Sequence, residues 1–436
     1  MRVTLQISLK NPQKVKQQLL LWSQQYHEVV WFDSNKHQTN YGDFDAVLAV
    51  DAFTLLQTDH TNAFQKLAEY QKTTSDWIFG YLSYDLKNDV EHLISQNVDG
   101  LHFPELYFFQ PKKVFFLKEN TLEIHYLKAV DDELDADISE ILNTKIDVEI
   151  FTYDDSNKEH RPKIKLRIHK DEYYEKVNKL LAHIHRGDIY EANFCQEFYA
   201  ENAAIDPLST YTHLNAISKP PFATYMRLED KYILSASPER YIKKKGTKVI
   251  SQPIKGTAKR SKNVTEDQQL IENLQNDEKE RAENVMIVDL VRNDLSKTAI
   301  KGSVQVAELC KIYTFDQVHQ MISTVTSEVK EDQNPIEILQ TTFPMGSMTG
   351  APKISAMNII ENLEETKRGI YSGAIGYFTP ENDFDFNVVI RSILYNSTEK
   401  YVSYSVGGAI TAKSIPEKEY EECLIKAKAM REALES

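Results

Sequence analysis

The feature that most constrains the fold is a succession of strand-like segments in the second half of the chain. Residues 232–235, 240–242 and 249–250 are rich in Ile, Val, Leu and Tyr, and Lys245-Gly246 marks a tight turn. Three more such segments follow, at residues 371–378, 384–395 and 401–406. Strands in hairpin succession are typical of antiparallel sheets. We therefore predict an α+β protein with antiparallel sheets and helices around them, not a doubly wound parallel sheet.

Several helices are expected from apolar spacing and capping residues. Between 172 and 186 the apolar residues recur at helical spacing, and Gly187 follows as a C-cap. The other predicted helices are residues 12–26, 265–295, 352–367 and a last helix from the capping pattern at Ser414 to the terminus. Gly407-Gly408 is expected at a strand end just before that last helix.

Composition excludes several classes of protein. The 436 residues carry a net charge of −14, with lysines interleaved among acids, which argues against nucleic acid or an anionic membrane as a partner. The sequence shows neither a membrane-length apolar run nor a signal-peptide layout, so we expect a cytoplasmic protein. The three cysteines form no CxxC pair and no nucleophile elbow, so they predict neither a zinc site nor a thiol catalyst.

The chain is predicted to divide into an N-terminal β-rich region and acidic connection, residues 1–163, and a catalytic region, residues 164–436. Residues 131–163 are dense in Asp, Glu, Asn and Lys and indicate an exposed connection. No motif before this connection is tied to chemistry, and no internal repeat is present. The candidate functional residues therefore lie in the second region.

Lys255 is the most informative single residue. It stands in Gln-Pro-Ile-Lys-Gly-Thr, where Pro253 stiffens the approach and Gly256 leaves room for a ligand, and it follows the Ser-Pro-Glu-Arg run that contains Glu239. A lysine becomes a nucleophile when burial or nearby cations lower its pKa. Alone, the hexapeptide favours a solvated lysine in a turn. Its surroundings favour a catalytic one.

Two helices each carry two glutamates three residues apart: Glu280 and Glu283 on one, Glu419 and Glu422 on the other. This spacing places both carboxylates of a pair on one helix face. Oxygen ligands without His or Cys suit a hard cation such as Mg²⁺. Each pair alone is more typical of a solvated acidic face, but their positions beside an apolar run and after a glycine pair favour metal.

Three other features leave alternatives open. Gly407-Gly408 could expose backbone N–H groups to a carboxylate, although a β-turn is the simpler reading. Arg391 interrupts a strand that looks buried, and an internal acid and a bound carboxylate are equally good partners for it. His319 is a lone histidine of the kind usually satisfied within the protein.

Taken together, residues 165 to 432 resemble the chorismate-utilising enzymes. The resemblance implies a β-sandwich of antiparallel sheets wrapped by helices, and an active site in which Mg²⁺ bridges acidic residues and the ring carboxylate of chorismate. The matching stretches are Gly187-Asp188-Ile189-Tyr190, residues 234–240, Pro253-Ile254-Lys255-Gly256-Thr257, residues 283–294, Gly350-Ala351-Pro352-Lys353, and residues 419–422.

Within this family, the resemblance to the aminodeoxychorismate synthase component I branch rests on Lys255, because the anthranilate synthase branch usually has alanine there. It implies that Lys255 attacks the second ring carbon while the hydroxyl on the fourth leaves, and that ammonia then adds at the fourth carbon and expels the lysine. Glu239 would serve as acid and then as base, which one carboxyl can do if enclosure raises its pKa.

The resemblance also assigns ligands. Glu283 and Glu422 are implied as metal ligands, with Glu280 and Glu419 beside them. Other residues are expected to bind or adjoin chorismate: Gly256, Thr257, His319, Tyr371, Arg391, Gly407, Gly408 and Lys426. Lys426 lies one helical turn after Glu422 and so shares its face.

One position departs from the family pattern. Glu191 stands where most amino-transferring relatives have glutamine and where water-using relatives have a lysine nearby, which leaves the handling of ammonia open. Ammonia is expected from a separate glutaminase subunit or from solution. The alternatives are anthranilate synthase component I, isochorismate or salicylate synthase, and a chorismate-binding protein without catalysis. Lys255 argues against the first, Glu191 against the second and the acid pairs against the third.

Overall fold

The computed structural model describes residues 1–37, 41–91, 93–146 and 161–435. Within these ranges lie the following strands: β1 (Arg2–Ser8), β2 (Glu28–Asp33), β3 (Ala46–Thr58), β4 (Ile78–Leu82), β5 (Leu106–Lys118), β6 (Thr121–Leu127), β7 (Lys165–Leu166), β8 (Glu191–Ala200), β9 (Phe222–Leu228), β10 (Lys231–Ser237), β11 (Arg240–Lys245), β12 (Lys248–Gln252), β13 (Ile254–Lys259), β14 (Gln305–Thr314), β15 (Val318–Glu328), β16 (Gly350–Ala351), β17 (Ala374–Phe378), β18 (Phe384–Val388), β19 (Ser392–Asn396) and β20 (Tyr401–Thr411).

The α-helices in the same ranges are α1 (Pro12–Trp22), α2 (Ala63–Thr74), α3 (Lys87–Val90), α4 (Leu134–Asn143), α5 (Lys170–Arg186), α6 (Pro207–Ser218), α7 (Val264–Asn276), α8 (Glu278–Ser296), α9 (Pro335–Thr342), α10 (Lys353–Leu363) and α11 (Pro416–Glu435). None of these described helices is long and apolar enough to cross a membrane.

The strands pair antiparallel and form two arms that share β5. One arm runs β1–β6–β5–β3–β2–β9–β10–β19–β20–β8. The other runs β5–β4–β17–β18–β11–β12–β15, with β13 and β14 on opposite edges of β15. The arms fork because one edge of β5 pairs with β4 at its start and with β6 at its end. The antiparallel α+β prediction is confirmed.

Alternating side chains divide the core into two layers. On β19, Ile393 packs into one apolar cluster and Leu394 into the other, as expected where successive residues point to opposite faces. The first cluster joins the sheet to helices α1, α5, α6 and α11, for example through Leu180 and Met430. The second contains residues of both arms, for example Ile233 and Phe386. Each fully buried side chain of this size stabilises the fold by about 1.5–3 kcal/mol.

Strands from both predicted regions belong to the same arms. Gly80 on β4 pairs with Gly376 on β17, and Val30 on β2 pairs with Met226 on β9. The connection predicted to be exposed contains helix α4, whose Leu134 and Ile141 are buried, and its residues 147–160 lie outside the described ranges. The division at residue 163 stays a prediction.

Several predicted boundaries are corrected. The helix expected over residues 265–295 is two helices that break at Asp277, whose side chain caps α8 by accepting from the Glu280 N–H. The helix expected to residue 367 ends at Leu363. The strand expected over 384–395 breaks before β19, where Arg391 has a φ of +54°. Helix α5 and its Gly187 C-cap, with φ of +89°, are confirmed.

Candidate active site

Lys255 sits in a bulge of β13. Between Ile254, which pairs with Ile322, and Thr257, which pairs with Gln320, β13 has one residue more than β15. Gly256 supplies the left-handed conformation of this bulge, with φ of +88°. A β-carbon on Gly256 would also come within 3.2 Å of Glu280 Oε2. The bulge therefore brings the lysine strand close to helix α8.

The Lys255 ammonium lies among carboxylates. Its Nζ is 3.6 Å from Glu191 Oε1, and its side chain is only 14% exposed. Burial lowers the pKa of Lys255, but the negative charges of Glu191, Glu283, Glu239 and Glu280 outweigh burial, so the pKa is raised above its ordinary value. The sequence predicts a lowered pKa for a catalytic lysine, and this expectation is wrong because the charged neighbours of Lys255 are acids.

Glu239 lies in the turn between β10 and β11 and is buried. Burial raises its pKa to about 7, against smaller lowering effects from a hydrogen bond with Ser347 and the charge of Lys255. A small cavity lies beside it, lined in part by Ser251 and Asp294. The condition set from the sequence, that enclosure should raise the pKa of this carboxyl, is met.

The two glutamate pairs face each other across Lys279. The Lys279 Nζ lies 3.8 Å from Glu283 Oε1 on α8 and 3.7 Å from Glu419 Oε1 on α11. Burial lowers the pKa of Lys279, yet the four glutamates outweigh it and the pKa is raised. The two helices therefore hold opposing carboxylates, and a cation already lies between them. Lys279 was missed from the sequence, although its place four residues before Glu283 puts it on the same helix face.

The donor set fits a hard cation. Glu283 Oε1 is buried without a hydrogen-bond partner, and burial raises the pKa of Glu283 to about 7, with Lys255 and Lys279 opposing. Glu422 differs: it pairs with Lys426 at 2.6 Å, and the lysine outweighs burial and lowers its pKa. Nowhere in the described ranges do three acidic, His or Cys side chains converge closely enough to hold a metal. The carboxylates have the right chemistry, and their placement stays a prediction.

The glycine pair lies inside a strand, not at its end. On β20, Gly407 pairs with Cys195 and Gly408 with Phe194 of β8. A β-carbon at Gly407 would lie 2.5 Å from Cys195 Sγ, and one at Gly408 would lie 3.7 Å from Glu422 Oε1. The expected strand end is therefore wrong, because β20 extends past both glycines. The close approach at Gly407 requires a residue without a side chain, whereas a β-carbon at Gly408 would make only ordinary contacts.

Lys426 and Arg391 lie beside this strand. Lys426 Nζ donates to the Gly407 carbonyl at 2.8 Å as well as pairing with Glu422. Arg391 Nη1 donates to the Lys426 carbonyl at 3.4 Å. Burial lowers the pKa of Arg391 despite the charges of Tyr371 and Glu422. The structure thus places two cationic side chains with one glycine strand, next to the acidic helix α11.

The remaining predicted substrate residues are placed less directly. Both ring nitrogens of buried His319 already have partners: Nε2 lies 2.9 Å from Asp267 Oδ1, and Nδ1 lies 2.9 Å from Thr314 Oγ1. Tyr371 is buried, and its hydroxyl accepts from the Cys195 thiol at 3.7 Å. Thr257 is exposed on β13. Substrate roles for these three residues stay predictions.

A second cavity lies elsewhere, along β2, β3 and β11. Asp33, Ser34, Asp43 and Arg240 are among its lining residues, and Lys255 and Glu239 are not. It is larger than the cavity beside Glu239. We place the candidate active site at Lys255 because carboxyl groups with raised pKa values, those of Glu239 and Glu283, lie around that residue.

The fold and this site define a chorismate-binding enzyme. Residues 18–432 match the family model described as chorismate binding enzyme, and the chain belongs to that family. It is 34% identical to aminodeoxychorismate synthase component 1 of Bacillus subtilis over 361 residues, which are 82% of this chain and 76% of that protein.

Two further comparisons point to another branch of the family. The chain is 34% identical to anthranilate synthase component 1 of Acetivibrio thermocellus over 373 residues, 82% of this chain and 74% of that protein. The crystal structure of anthranilate synthase component I from Streptococcus pneumoniae TIGR4 superposes with a TM-score of 0.74 at 25% identity, covering 91% of this chain and 94% of the other. The chain is therefore similar to both kinds of synthase.

Proposed function

We propose that this chain acts as an aminodeoxychorismate synthase component I, which converts chorismate and ammonia to 4-amino-4-deoxychorismate for para-aminobenzoate and folate synthesis. The observation that carries the proposal is Lys255, an enclosed amine beside Glu239, a carboxyl group with a pKa of about 7. An anthranilate synthase needs no nucleophilic side chain at this position, and the resemblance places alanine there.

In the proposed reaction the Lys255 amine forms a bond to the second ring carbon, both ring double bonds shift, and the hydroxyl at the fourth carbon leaves. Glu239 supplies the proton that makes this leaving group water. It is half protonated at a pH of about 7, so it can give a proton in one step and take one in the next. Ammonia then adds at the fourth carbon, the bond to lysine breaks, and Glu239 takes a proton from the added nitrogen.

Glu280, Glu283, Glu419 and Glu422 would hold Mg²⁺ in this proposal. When bound, that ion supplies positive charge opposite the ring carboxylate of chorismate. Lys426 and Arg391 would bind substrate carboxylates near the Gly407-Gly408 strand. Glu283, whose buried oxygen has no partner, is the ligand best supported by the structure.

The nitrogen is proposed to come from a separate glutaminase subunit. All three cysteines are buried, and burial raises the thiol pKa of each, that of Cys195 to about 12. A glutaminase thiol must instead ionise readily and have a positioned base. We therefore expect the purified chain to use ammonium salts and not glutamine, and to use glutamine once a glutaminase subunit is added.

The test is to incubate the purified chain with chorismate, Mg²⁺ and ammonium and to identify the product by chromatography and mass spectrometry. Formation of 4-amino-4-deoxychorismate supports the proposal. Anthranilate and pyruvate would assign the second candidate, which the similarity to anthranilate synthases favours. Recovery of unchanged chorismate, in a preparation that binds it, would favour a binding protein without catalysis.

A further inference from the structure

Glu191 is the one departure from the family pattern that the proposed reaction does not use. It is the first residue of β8, where it pairs with Ala351 of β16 on one side and Thr411 of β20 on the other. Its side chain is almost fully enclosed, 1% exposed for the whole residue. Two flanking strands therefore fix its backbone, and a charged group is held where a neutral amide would be easier to bury.

The two carboxylate oxygens of Glu191 have different surroundings. Oε1 lies 3.6 Å from Lys255 Nζ, an ion pair beyond the length of a good hydrogen bond. Oε2 is buried and has no hydrogen-bond partner in the described part of the chain. A buried carboxylate usually has its oxygens paired, because leaving one unpaired costs about 1–3 kcal/mol. An unpaired oxygen beside a reactive amine is therefore better explained by chemistry than by folding.

Lys255 needs a proton acceptor before it can attack. As an ammonium it has no lone pair, and its acidic neighbours favour the charged form. Five carboxyl groups interact electrostatically with it: Glu239 from the β10–β11 turn, Glu280 and Glu283 from α8, Glu191 from β8 and Glu422 from α11. Glu239 must itself be protonated to release water, the two α8 carboxylates also act on Lys279, and Glu422 pairs with Lys426. Among the described contacts, Glu191 is the carboxylate that forms an ion pair with Lys255.

We propose that Glu191 is the catalytic base that takes the proton from the Lys255 ammonium, a step that rests on the proposed function. The N–H bond of Lys255 breaks, an O–H bond forms on Glu191, and the freed electron pair on nitrogen forms the bond to the second ring carbon. When ammonia later expels the lysine, the same proton returns from Glu191 to the amine. No oxidant or further reactant is required.

Glutamine at this position could not play the same role, because an amide nitrogen or oxygen does not accept a proton at neutral pH. Here the carboxylate has two effects: it holds the resting lysine protonated, and it receives that proton when substrate arrives. Glu191→Gln removes both effects with little change in shape. Loss of the base slows turnover, whereas loss of the counter-ion moves the pH–rate profile toward acid, so the pH dependence distinguishes the two effects.

The test compares Glu191→Gln with the wild type and with Glu197→Gln as a matched control. Glu197 is also a buried carboxylate on β8, but it pairs with Arg167 and Tyr401, away from Lys255. We expect Glu191→Gln to bind chorismate normally and to turn over about 10²–10⁴-fold more slowly than the wild type with ammonium at neutral pH. This deficit, compared with the wild type at the same pH, should shrink by about tenfold per pH unit on the alkaline side. Glu197→Gln should turn over like the wild type.

A counter-ion role would give the opposite pH behaviour. Without the nearby Glu191 carboxylate, the Lys255 ammonium would lose its proton at lower pH. Glu191→Gln would then equal or exceed the wild-type rate, and its pH–rate profile would be moved toward acid. That result overturns the inference. Should the glutamine variant not fold, Glu191→Asp keeps the charge but shortens the reach to Lys255: turnover well below the wild type supports the base, and turnover equal to or above the wild type overturns it.

A step-specific measurement separates this inference from the proposed function. Chorismate without ammonia should load Lys255 with the substrate less one water, detectable in the lysine peptide by mass spectrometry after rapid quenching. Slow loading in Glu191→Gln beside fast loading in the wild type supports the base. Equal loading in both overturns the inference and leaves the function standing. If the wild type forms no adduct on Lys255 and makes no aminodeoxychorismate, the proposed function is wrong, and no base for Lys255 is needed.

Discussion

Two groups of buried charges in this molecule are paired to different extents. Around Arg368, Glu364 accepts from both Nε and Nη2 at 2.9 and 2.7 Å and from the Cys195 N–H, while Nη1 and Nη2 donate to the carbonyls of Met348 and Asn193. Around Lys255, the ion pair with Glu191 is longer, at 3.6 Å. Glu191 Oε2 and Glu283 Oε1 have no hydrogen-bond partner in the described part of the chain, although Glu283 Oε1 lies 3.8 Å from Lys279 Nζ.

The difference in hydrogen bonding indicates that the Arg368 group stabilises the fold and that the Lys255 group serves function. A buried ion pair whose hydrogen bonds are complete stabilises a single geometry, and removing one partner leaves an uncompensated charge. A buried carboxylate oxygen without a hydrogen bond is not optimised for folding, and a catalytic role is one physical explanation for such an oxygen. The predictions below test this contrast between the Arg368 network and the Lys255 site.

The largest effect is expected for Lys255→Ala. Without the amine the covalent route is lost, and we expect ammonium-dependent formation of aminodeoxychorismate to fall by about 10⁴-fold, equivalent to roughly 5.5 kcal/mol of barrier. Chorismate binding, measured by calorimetry, should stay close to that of the wild type. Product formation at the wild-type rate would show that Lys255 is not the nucleophile.

Glu364→Ala should instead act on stability. It leaves the buried Arg368 guanidinium without its carboxylate, and we expect the free energy of unfolding to drop by about 3–5 kcal/mol. Denaturant titration measures this loss. Lys255→Ala is the control, because it removes a charge that is not completely paired. A loss below about 1 kcal/mol for Glu364→Ala would remove the contrast between the two groups.

Glu239→Gln should change both rate and pH dependence. A carboxyl group with a pKa of about 7 is protonated below that pH, so the wild-type rate should fall above pH 7 as the acid is lost. The glutamine variant should be slower by about 10²-fold and lack this falling limb. Measuring initial rates of chorismate consumption between pH 6 and 9, chosen as about one unit below and two above that pKa, checks both. If the Glu239→Gln variant keeps the falling limb of the pH–rate profile, that limb belongs to another group.

The smallest effect is expected for the proposed metal site. Glu283→Gln removes one carboxylate charge and replaces the unpaired oxygen with an amide, so we expect Mg²⁺ affinity, measured by titration calorimetry, to fall by about 10–100-fold. Glu272→Gln, at an exposed position on α7, is the matched control. If Mg²⁺ affinity is unchanged in both Glu283→Gln and Glu422→Gln, the metal does not bind between these two helices.

Much of the fold was predictable from the sequence because strand and helix signals are local. Hairpin order, the α5 periodicity and its glycine cap each depend on residues close together in the chain. One error overlooked a local signal, because Asp277 with Glu280 three residues later is a capping pattern that begins a second helix. The other error was decided by a tertiary contact: pairing with β8 extends β20 through Gly407 and Gly408, and the residues on either side carry no signature of it.

The sequence by itself determined which chemical groups are available: one lysine in a Pro-Ile-Lys-Gly-Thr segment, paired glutamates at helical spacing, and no cysteine in a nucleophile elbow. Only the tertiary structure decided how these groups act on one another. It placed Glu191 beside Lys255 and Lys279 between the glutamate helices, and it raised the lysine pKa that the sequence argument expected to fall. The physical reason is that a pKa depends on burial and on charges within a few ångströms, which come from strands and helices distant in sequence.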